Sequence, residues 1–228
     1  MNFKYLEWDS SFFNKKIGLL ELPSELKYIE YLDDCDLIYV VSNCEFLVEL
    51  INFELTFSET KIDFSKKGLK KNKVTDKNIF SVLPNDFPNK QIYDLTLESG
   101  KFSRFRLDSK FKKNDFKKLY RKWIDNSYTK EIADNILVYK YKDDNIGFIT
   151  YKVFENYARI GLMAISPKYQ GKGIGIQLIN AVENELITLG INELRISTQL
   201  HNEAACRFYK KAGYKIIEIK ILKHYWKL

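Results

Sequence analysis

The sequence predicts an α/β protein, and three observations support that prediction. Strand-like and helical hydrophobic patterns alternate along most of the 228 residues. The composition is globular, with 45% hydrophobic and 29% charged residues. A glycine-rich turn at residues 170–175 joins a strand pattern to a helical one. The chain is therefore expected to fold into sheet covered by helices, around a core of appreciable size.

The first part of the chain predicts a small strand-helix-strand unit. Short β-branched runs and apolar–polar alternation predict three strands, at residues 17–22, 36–42 and 55–64. Between the last two, a helical spacing of apolar residues predicts a helix over residues 44–51, with Phe46, Leu47, Leu50 and Ile51 on its apolar side.

A lysine-rich stretch follows at residues 65–78, with few apolar positions. It predicts a solvated linker, since a run of like charges without hydrophobic periodicity rarely packs. A contact with RNA or a membrane is the alternative, but no aromatic residues are interleaved with the lysines. We therefore expect a small N-terminal α/β domain at 1–66, a linker at 67–90 and a larger domain at 91–228.

The larger domain carries a regular succession of elements. Amphipathic spacing predicts four helices, at residues 91–99, 115–128, 173–189 and 202–212. Alternating or β-branched runs predict the strands, at residues 135–142, 146–154, 158–166 and 193–198, with one or two more over 214–227.

The turn between strand and helix has the composition of an anion-binding loop. Gly171, Gly173 and Gly175 allow backbone N–H groups to approach a ligand, and a helix start adds unpaired donors and the positive end of its dipole. The spacing fits neither a Walker loop nor a dinucleotide fingerprint. An ordinary helix-start turn is the alternative.

The run from Gln170 to Gly175 resembles the pyrophosphate-binding loop of the GNAT superfamily of N-acetyltransferases, and the element order over residues 91–228 is similar to that family. The resemblance implies a mixed, mostly antiparallel sheet and acetyl-coenzyme A as cosubstrate. Gln170 stands where arginine is commoner, and Lys168 and Lys172 could supply the missing charge. The residues that the resemblance assigns to the coenzyme are Leu162, Met163, Ala164, Ile165, Gln170, Gly171, Lys172, Gly173, Ile174, Gly175, Asn202 and Ala205.

Asn202 and Tyr209 are seven residues apart, so on a helix they share one face. In the family that is resembled, an asparagine so placed contacts the coenzyme, and a tyrosine placed like Tyr209 protonates the departing thiolate. A thiol of pKa about 8.5 leaves as an anion, which a nearby phenol can stabilise and protonate. Packing of Tyr209 in the core is the alternative.

Further segments resemble the TDP-fucosamine acetyltransferase group, at residues 6–13, 16–18, 103–108, 123–127 and 197–199. That resemblance implies transfer of acetyl, directly and through a tetrahedral intermediate, to the 4-amino group of a nucleotide-linked 4,6-dideoxy sugar, with TDP as the nucleotide. It assigns the acceptor site to Arg104, Phe105, Arg106 and Gln199. A loop with solvated arginines is the alternative at residues 103–108.

Other classes are less well supported by the sequence. Three cysteines without a CxxC pair and two histidines predict no metal site, and Cys206 is expected to pack rather than react. The chain lacks an apolar leader or span, so we expect a cytoplasmic protein with no membrane contact.

Two alternative functions stay open. The first is transfer of acetyl to a protein N-terminus or to a small amine. The net charge of +7 also leaves open a nucleic-acid-binding module, although we expect no nucleic acid partner. A homodimer is one of the assemblies that the sequence allows.

Overall fold

A computed structural model describes residues 2–22, 28–29, 34–71, 76–83 and 85–228. The strands in these residues are β1 Asn2–Tyr5, β2 Ile17–Glu21, β3 Tyr28–Ile29, β4 Leu37–Ser42, β5 Glu49–Leu50, β6 Phe53–Lys67, β7 Ile79–Ser81, β8 Asn135–Tyr141, β9 Asp144–Val153, β10 Ala158–Ile165, β11 Glu193–Gln199 and β12 Lys215–Lys227. The helices are α1 Glu7–Phe13, α2 Lys90–Ser99, α3 Arg104–Leu107, α4 Lys113–Tyr128, α5 Ile174–Thr188 and α6 Glu203–Lys211, with a 3₁₀ turn at Pro167–Tyr169.

Ten strands form one sheet, in the order β1-β2-β4-β12-β6-β11-β10-β9-β8-β7. Two neighbouring pairs in that sheet, β2 with β4 and β10 with β11, are parallel, and the others are antiparallel. Strands β3 and β5 pair separately. The predicted fold class, a mixed and mostly antiparallel sheet flanked by helices, is confirmed.

The 15-residue strand β6 lies in the middle of this sheet, between β11 and β12. Its C-terminal half alternates in the way the sequence predicts, with Ile62 and Phe64 buried in the core. Because β6 pairs along β11 and β12, the sheet continues across the predicted boundary at residue 66. The division into 1–66, 67–90 and 91–228 stays a prediction.

Helix α5 covers one face of β8, β9 and β10. Its predicted apolar stripe is buried from Ile174 to Leu186, whereas Leu189, the last residue of that stripe, is exposed just past the helix end. Gly190, with φ of +75°, follows the helix end, where glycine readily takes the left-handed backbone. This packing fixes the start of α5 at the carboxyl end of β10.

The helix predicted over residues 44–51 is wrong. Phe46, Val48 and Leu50 are buried while Leu47 and Ile51 are exposed, so burial alternates with a period of two, and the segment ends in the short strand β5. The apolar residues fit either period over eight positions, and so short a helix is not stable alone. Packing beneath β4 and β12 decides the extended form.

The linker predicted at residues 65–78 is wrong at its start, because Lys66 and Lys67 belong to β6. Lys66 Nζ lies 2.8 Å from both carboxylate oxygens of the buried Glu183. Residues 72–75 of the predicted linker lie outside the described residues. Later in the chain, the one or two strands predicted over 214–227 form the single strand β12.

Residues 2–13 contain β1 and α1, which the sequence analysis did not predict. Phe13 of α1 packs on Phe105 and Phe111, at ring-centroid distances of 5.6 Å and 4.9 Å. The N-terminal segment therefore touches the region around α3. No helix in the described ranges has the length and apolarity needed to cross a membrane.

Candidate functional site

Strands β10 and β11 pair only at their beginnings, and the opening between them starts a cleft. The last paired residues are Ile160 and Ile196, yet both strands continue for several residues. At the same point the register of β10 against β9 shifts, and the Leu162 N–H donates to Thr150 Oγ1 at 2.9 Å. This bulge turns the backbone from Leu162 to Ile165 away from β11. The side of β10 that faces β11 is thus left open to a ligand.

The glycine-rich turn lies at the end of the same strand. Gly171 and Gly173 have φ of +76° and +81°, which favour glycine, and a Cβ at either would meet no protein atom within 4 Å. Gly173 is the N-cap of α5, so N–H groups of the first turn point toward the cleft without intrahelical acceptors. Gly175 serves packing instead, since a Cβ there would approach the Phe208 ring to 3.2 Å.

Most of the predicted coenzyme residues line one cleft of about 860 Å³, a volume suited to a small-molecule ligand. Those that line it are Leu162, Met163, Ala164, Ile165, Gln170, Gly171, Gly173, Ile174, Gly175, Asn202 and Ala205. Gln170 donates from Nε2 to the Ile165 carbonyl oxygen at 3.0 Å, which braces the turn. Lys172 is exposed outside the lining residues, with Nζ 5.0 Å from the Tyr169 ring centroid.

Helix α6 presents Ala205 and Tyr209 to the cleft, with its N-cap Asn202 beside them. Asn202 Oδ1 accepts from the Ala205 N–H at 3.3 Å, so this side chain starts the helix. Tyr209 is buried, with its ring 5.7 Å from that of Phe64. Burial raises the pKa of the Tyr209 hydroxyl well above its ordinary value, which keeps the proton on it at neutral pH.

The other end of the cleft has charged and aromatic side chains. Phe105, Tyr120 and Trp123 line it, with Tyr120 and Trp123 ring centroids 4.9 Å apart. Arg104 lines the same end, and its guanidinium lies 3.9 Å above the Tyr39 ring. Flat rings beside a cation suit a ligand that carries both an aromatic group and an anion.

Of the four predicted acceptor residues, Arg104, Phe105 and Gln199 line the cleft, but Arg106 does not. Arg106 is exposed, with its guanidinium 5.7 Å from the Phe116 ring centroid. Residues two apart on a helical turn point in different directions, so α3 cannot aim both arginines at one cleft. The alternative interpretation, that these arginines are solvated, therefore fits Arg106 but not Arg104.

Two charged residues on β6 were missed by the sequence analysis. Glu59 and Lys61 are two apart on the strand, so both face the cleft that they line. Glu59 is buried, and its Oε2 has no hydrogen-bond partner among the described residues. Burial raises the pKa of Glu59, although Arg104 and Lys61 act in the opposite direction. Charged residues at alternate positions inside a strand pattern were the available signal.

The two histidines and Cys206 are not among the residues that line the cleft. His201 is exposed and its ring lies 5.6 Å from that of Phe102. Cys206 is buried, and burial raises the pKa of its thiol, which disfavours a nucleophilic thiolate. His224 is fully buried and bonded to Asp108. Within the ranges described, no three His, Cys, Asp or Glu side chains are grouped to hold a metal ion.

An open strand pair beside a glycine-rich helix start can hold a ligand that carries phosphate groups on an extended arm. The chain belongs to the acetyltransferase (GNAT) family, whose model matches residues 99–214, just over half of the chain. It is therefore an acetyl-transferring enzyme.

The chain is also similar to two sequences of other proteins and to one solved structure. It is 24% identical to the dTDP-fucosamine acetyltransferase of Escherichia coli O6:H1 over 219 residues, 92% of each chain. It is 25% identical over 143 residues to the spore coat polysaccharide biosynthesis protein SpsD of Bacillus subtilis, a match that covers 63% of this chain and only 49% of SpsD. A solved GNAT-family structure from Novosphingobium aromaticivorans superimposes with a TM-score of 0.57 at 12% identity, covering 85% of this chain and 75% of that one, which shows the shared fold.

Proposed function

We propose that this enzyme transfers acetyl from acetyl-coenzyme A to the 4-amino group of a TDP-linked 4-amino-4,6-dideoxy sugar. One observation carries the proposal: the cleft that begins at the glycine-rich turn ends among Arg104, Glu59 and three aromatic rings. A nucleotide sugar brings a diphosphate, an amine and a flat base, which are the matching groups.

On the donor side, the open edge of β10 from Leu162 to Ile165 would pair with the amide groups of the pantetheine arm. The pyrophosphate would lie on the backbone N–H groups around Gly171 and Gly173 and at the start of α5, where the helix dipole favours an anion. The exposed Lys172 beside this turn adds positive charge. Gln170 contributes through its brace to Ile165 rather than through charge.

On the acceptor side, the amine must lose a proton before it attacks a thioester. Glu59 is suited to take that proton, since its buried carboxylate lines the cleft with one oxygen that no described residue bonds. Burial raises its pKa above the ordinary value, and a carboxylate of higher pKa is a better base. Lys61, two residues further along β6, acts in the opposite direction on the Glu59 pKa, while burial lowers the pKa of Lys61 itself.

In the transfer itself, the neutral amine attacks the thioester carbonyl and forms a tetrahedral intermediate. The carbon–sulfur bond then breaks, and the sulfur carries the electron pair away. Tyr209 is placed to donate its hydroxyl proton to that thiolate. Its raised pKa keeps it protonated until then, and the same dry surroundings raise the basicity of the thiolate. As the intermediate collapses, the nitrogen releases its second proton, which through solvent replaces the one that Tyr209 donated. The amine attacks the acetyl group directly, so no acyl-enzyme forms.

The comparisons support the acceptor class without fixing it. The Escherichia coli relative is named for a dTDP-linked amino sugar and aligns over 92% of this chain, including the N-terminal part. The Bacillus subtilis relative is named for polysaccharide biosynthesis. Both names agree with an activated sugar as acceptor.

A thiol-release assay tests the proposal with a matched pair of acceptors. The pair is TDP-4-amino-4,6-dideoxygalactose and the same amino sugar without its nucleotide diphosphate, with UDP-linked sugars and peptide amines as further acceptors. Loss of the diphosphate removes charged hydrogen bonds, so we expect kcat/KM to fall about 100-fold. Equal kcat/KM for the pair would remove the nucleotide sugar from consideration, and a preference for peptides would favour the N-terminal alternative.

A further inference from the structure

A buried chain of hydrogen bonds starts at Asp108 and ends at the cleft. Asp108 is 2% exposed, and its Oδ2 accepts from His224 Nδ1 at 2.6 Å and from Trp226 Nε1 at 2.9 Å. Its Oδ1 accepts from Thr56 Oγ1 and from the Lys110 N–H. Burial opposes its ionised form, but these hydrogen bonds outweigh burial and hold the pKa of Asp108 below its ordinary value. The carboxylate is therefore charged and acts only as an acceptor.

His224 is the middle member of the chain. It is fully buried, with its Nδ1 on Asp108 and its Nε2 3.3 Å from Arg104 Nη1. Burial lowers the pKa of His224 to about 4, so the imidazole is neutral at pH 7. An ionised carboxylate has no hydrogen to give and a guanidinium has no lone pair. His224 must therefore carry its proton on Nδ1 and accept from Arg104 on Nε2.

Arg104 is the last member and the one that reaches the cleft. Its guanidinium stacks on Tyr39 at 3.9 Å and lies 4.5 Å from the Phe105 ring centroid. Tyr39 holds one face of the guanidinium and His224 one of its N–H donors, and the group lines the cleft, where further N–H donors can bind a ligand. A guanidinium held in this way binds two oxygens of a diphosphate better than a freely rotating one.

We infer that Asp108 and His224 are positioning residues, which aim the Arg104 guanidinium at the diphosphate of the acceptor. The inference rests on the proposed function, because it names the anion that Arg104 binds. Burying this polar chain is costly compared with apolar packing, and its geometry serves a charged group in the cleft. Neither residue touches the reacting atoms, so its loss should change acceptor binding and leave the chemical step intact.

Two substitutions at His224 separate the two hydrogen bonds that it makes. His224→Asn keeps an N–H donor near the Nδ1 position, which satisfies Asp108, but does not reach Arg104. His224→Gln places an amide oxygen near the Nε2 position, which can accept from Arg104, and gives up the bond to Asp108. A merely structural role predicts that the two variants behave alike apart from stability.

We expect the Asn variant to raise the KM for the TDP-linked acceptor about tenfold or more, since it frees the guanidinium. We expect the Gln variant to stay within about threefold of the parent enzyme. Neither should change kcat or the KM for acetyl-coenzyme A.

Because a fully buried position tolerates substitution poorly, a second measurement uses the unaltered protein. The two-bond ¹H–¹⁵N spectrum at pH 7 contains signals from only two histidines, His201 and His224. The signals of the buried His224 should show its proton on Nδ1.

The outcomes distinguish the inference from the proposed function. If the parent enzyme prefers the nucleotide-linked acceptor while the Asn and Gln variants share one acceptor KM, the positioning inference fails and the proposed function stands. If the buried histidine carries its proton on Nε2, the inference fails as well, because that nitrogen would oppose the Arg104 N–H. If the parent enzyme ignores the nucleotide diphosphate, the proposed acceptor fails and takes the inference with it. An Nδ1 proton together with a selective KM increase in the Asn variant supports the inference.

Discussion

Lys66 of β6 and Glu183 of α5 form an ion pair in which the lysine Nζ lies 2.8 Å from both carboxylate oxygens. Glu183 is 1% exposed, and the Tyr214 hydroxyl also donates to it at 3.0 Å. The pair joins the strand at the centre of the sheet to the helix that begins at the glycine-rich turn. It therefore holds the donor side of the cleft against the sheet.

Replacing Lys66 by methionine should destabilise the fold by about 3 kcal/mol or more, because it leaves a buried carboxylate without its cation. The matched control is Lys67→Met, which removes an exposed lysine 3.7 Å from Glu193 and should cost less than about 1 kcal/mol. Urea unfolding of both variants measures the difference. If both variants lose similarly little unfolding free energy, Lys66 behaves as a solvated lysine, as the sequence predicted.

Gly173→Ala should raise the Kd of acetyl-coenzyme A about tenfold or more, since a left-handed residue with a side chain is strained and its Cβ would enter the turn that we propose binds the pyrophosphate. Gly190→Ala is the control, because Gly190 has a similar φ of +75° at the other end of α5. Both variants should lose comparable stability. Calorimetric titration that shows parent-like binding in a folded Gly173→Ala protein would contradict the assignment of the turn.

Tyr209→Phe should lower kcat about 100-fold with little change in the KM for acetyl-coenzyme A, because the hydroxyl acts only as the thiolate leaves. Tyr214→Phe removes another buried hydroxyl, one that donates to Glu183. That control should lose stability and keep kcat. A Tyr209→Phe kcat within twofold of the parent at saturating substrates would make Tyr209 a packing residue.

Glu59→Gln should lower kcat/KM about 100-fold at pH 7, since the amide cannot take a proton from the amine. The same substitution should not lower the stability of the fold. Burial raises the Glu59 pKa above its ordinary 4.5, so its contribution to stability is full below that value and is lost as the pH rises through the folded pKa. At pH 7 the variant should thus be at least as stable as the parent. The exposed Glu155→Gln serves as control, and a destabilised Glu59→Gln protein with full activity would refute the assignment.

The sequence by itself determined the elements whose pattern is long or chemically restrictive. The stripe through Leu178, Val182 and Leu186 spans more than two turns and admits only a helix, and Gly171 and Gly173 mark a turn that needs left-handed backbone. The same patterns placed Asn202 and Tyr209 on one side of α6.

The tertiary structure decided what depends on distant partners. Residues 44–51 fit two periods, and only burial beneath the sheet made them extended. Glu59 faces the cleft because β6 inserts between β11 and β12, and these strands pair across more than 120 residues of sequence, which local patterns do not encode. Likewise, the Arg104 guanidinium lies 3.3 Å from His224, which β12 contributes from 120 residues further along the chain, and this contact is not encoded in the local pattern around α3.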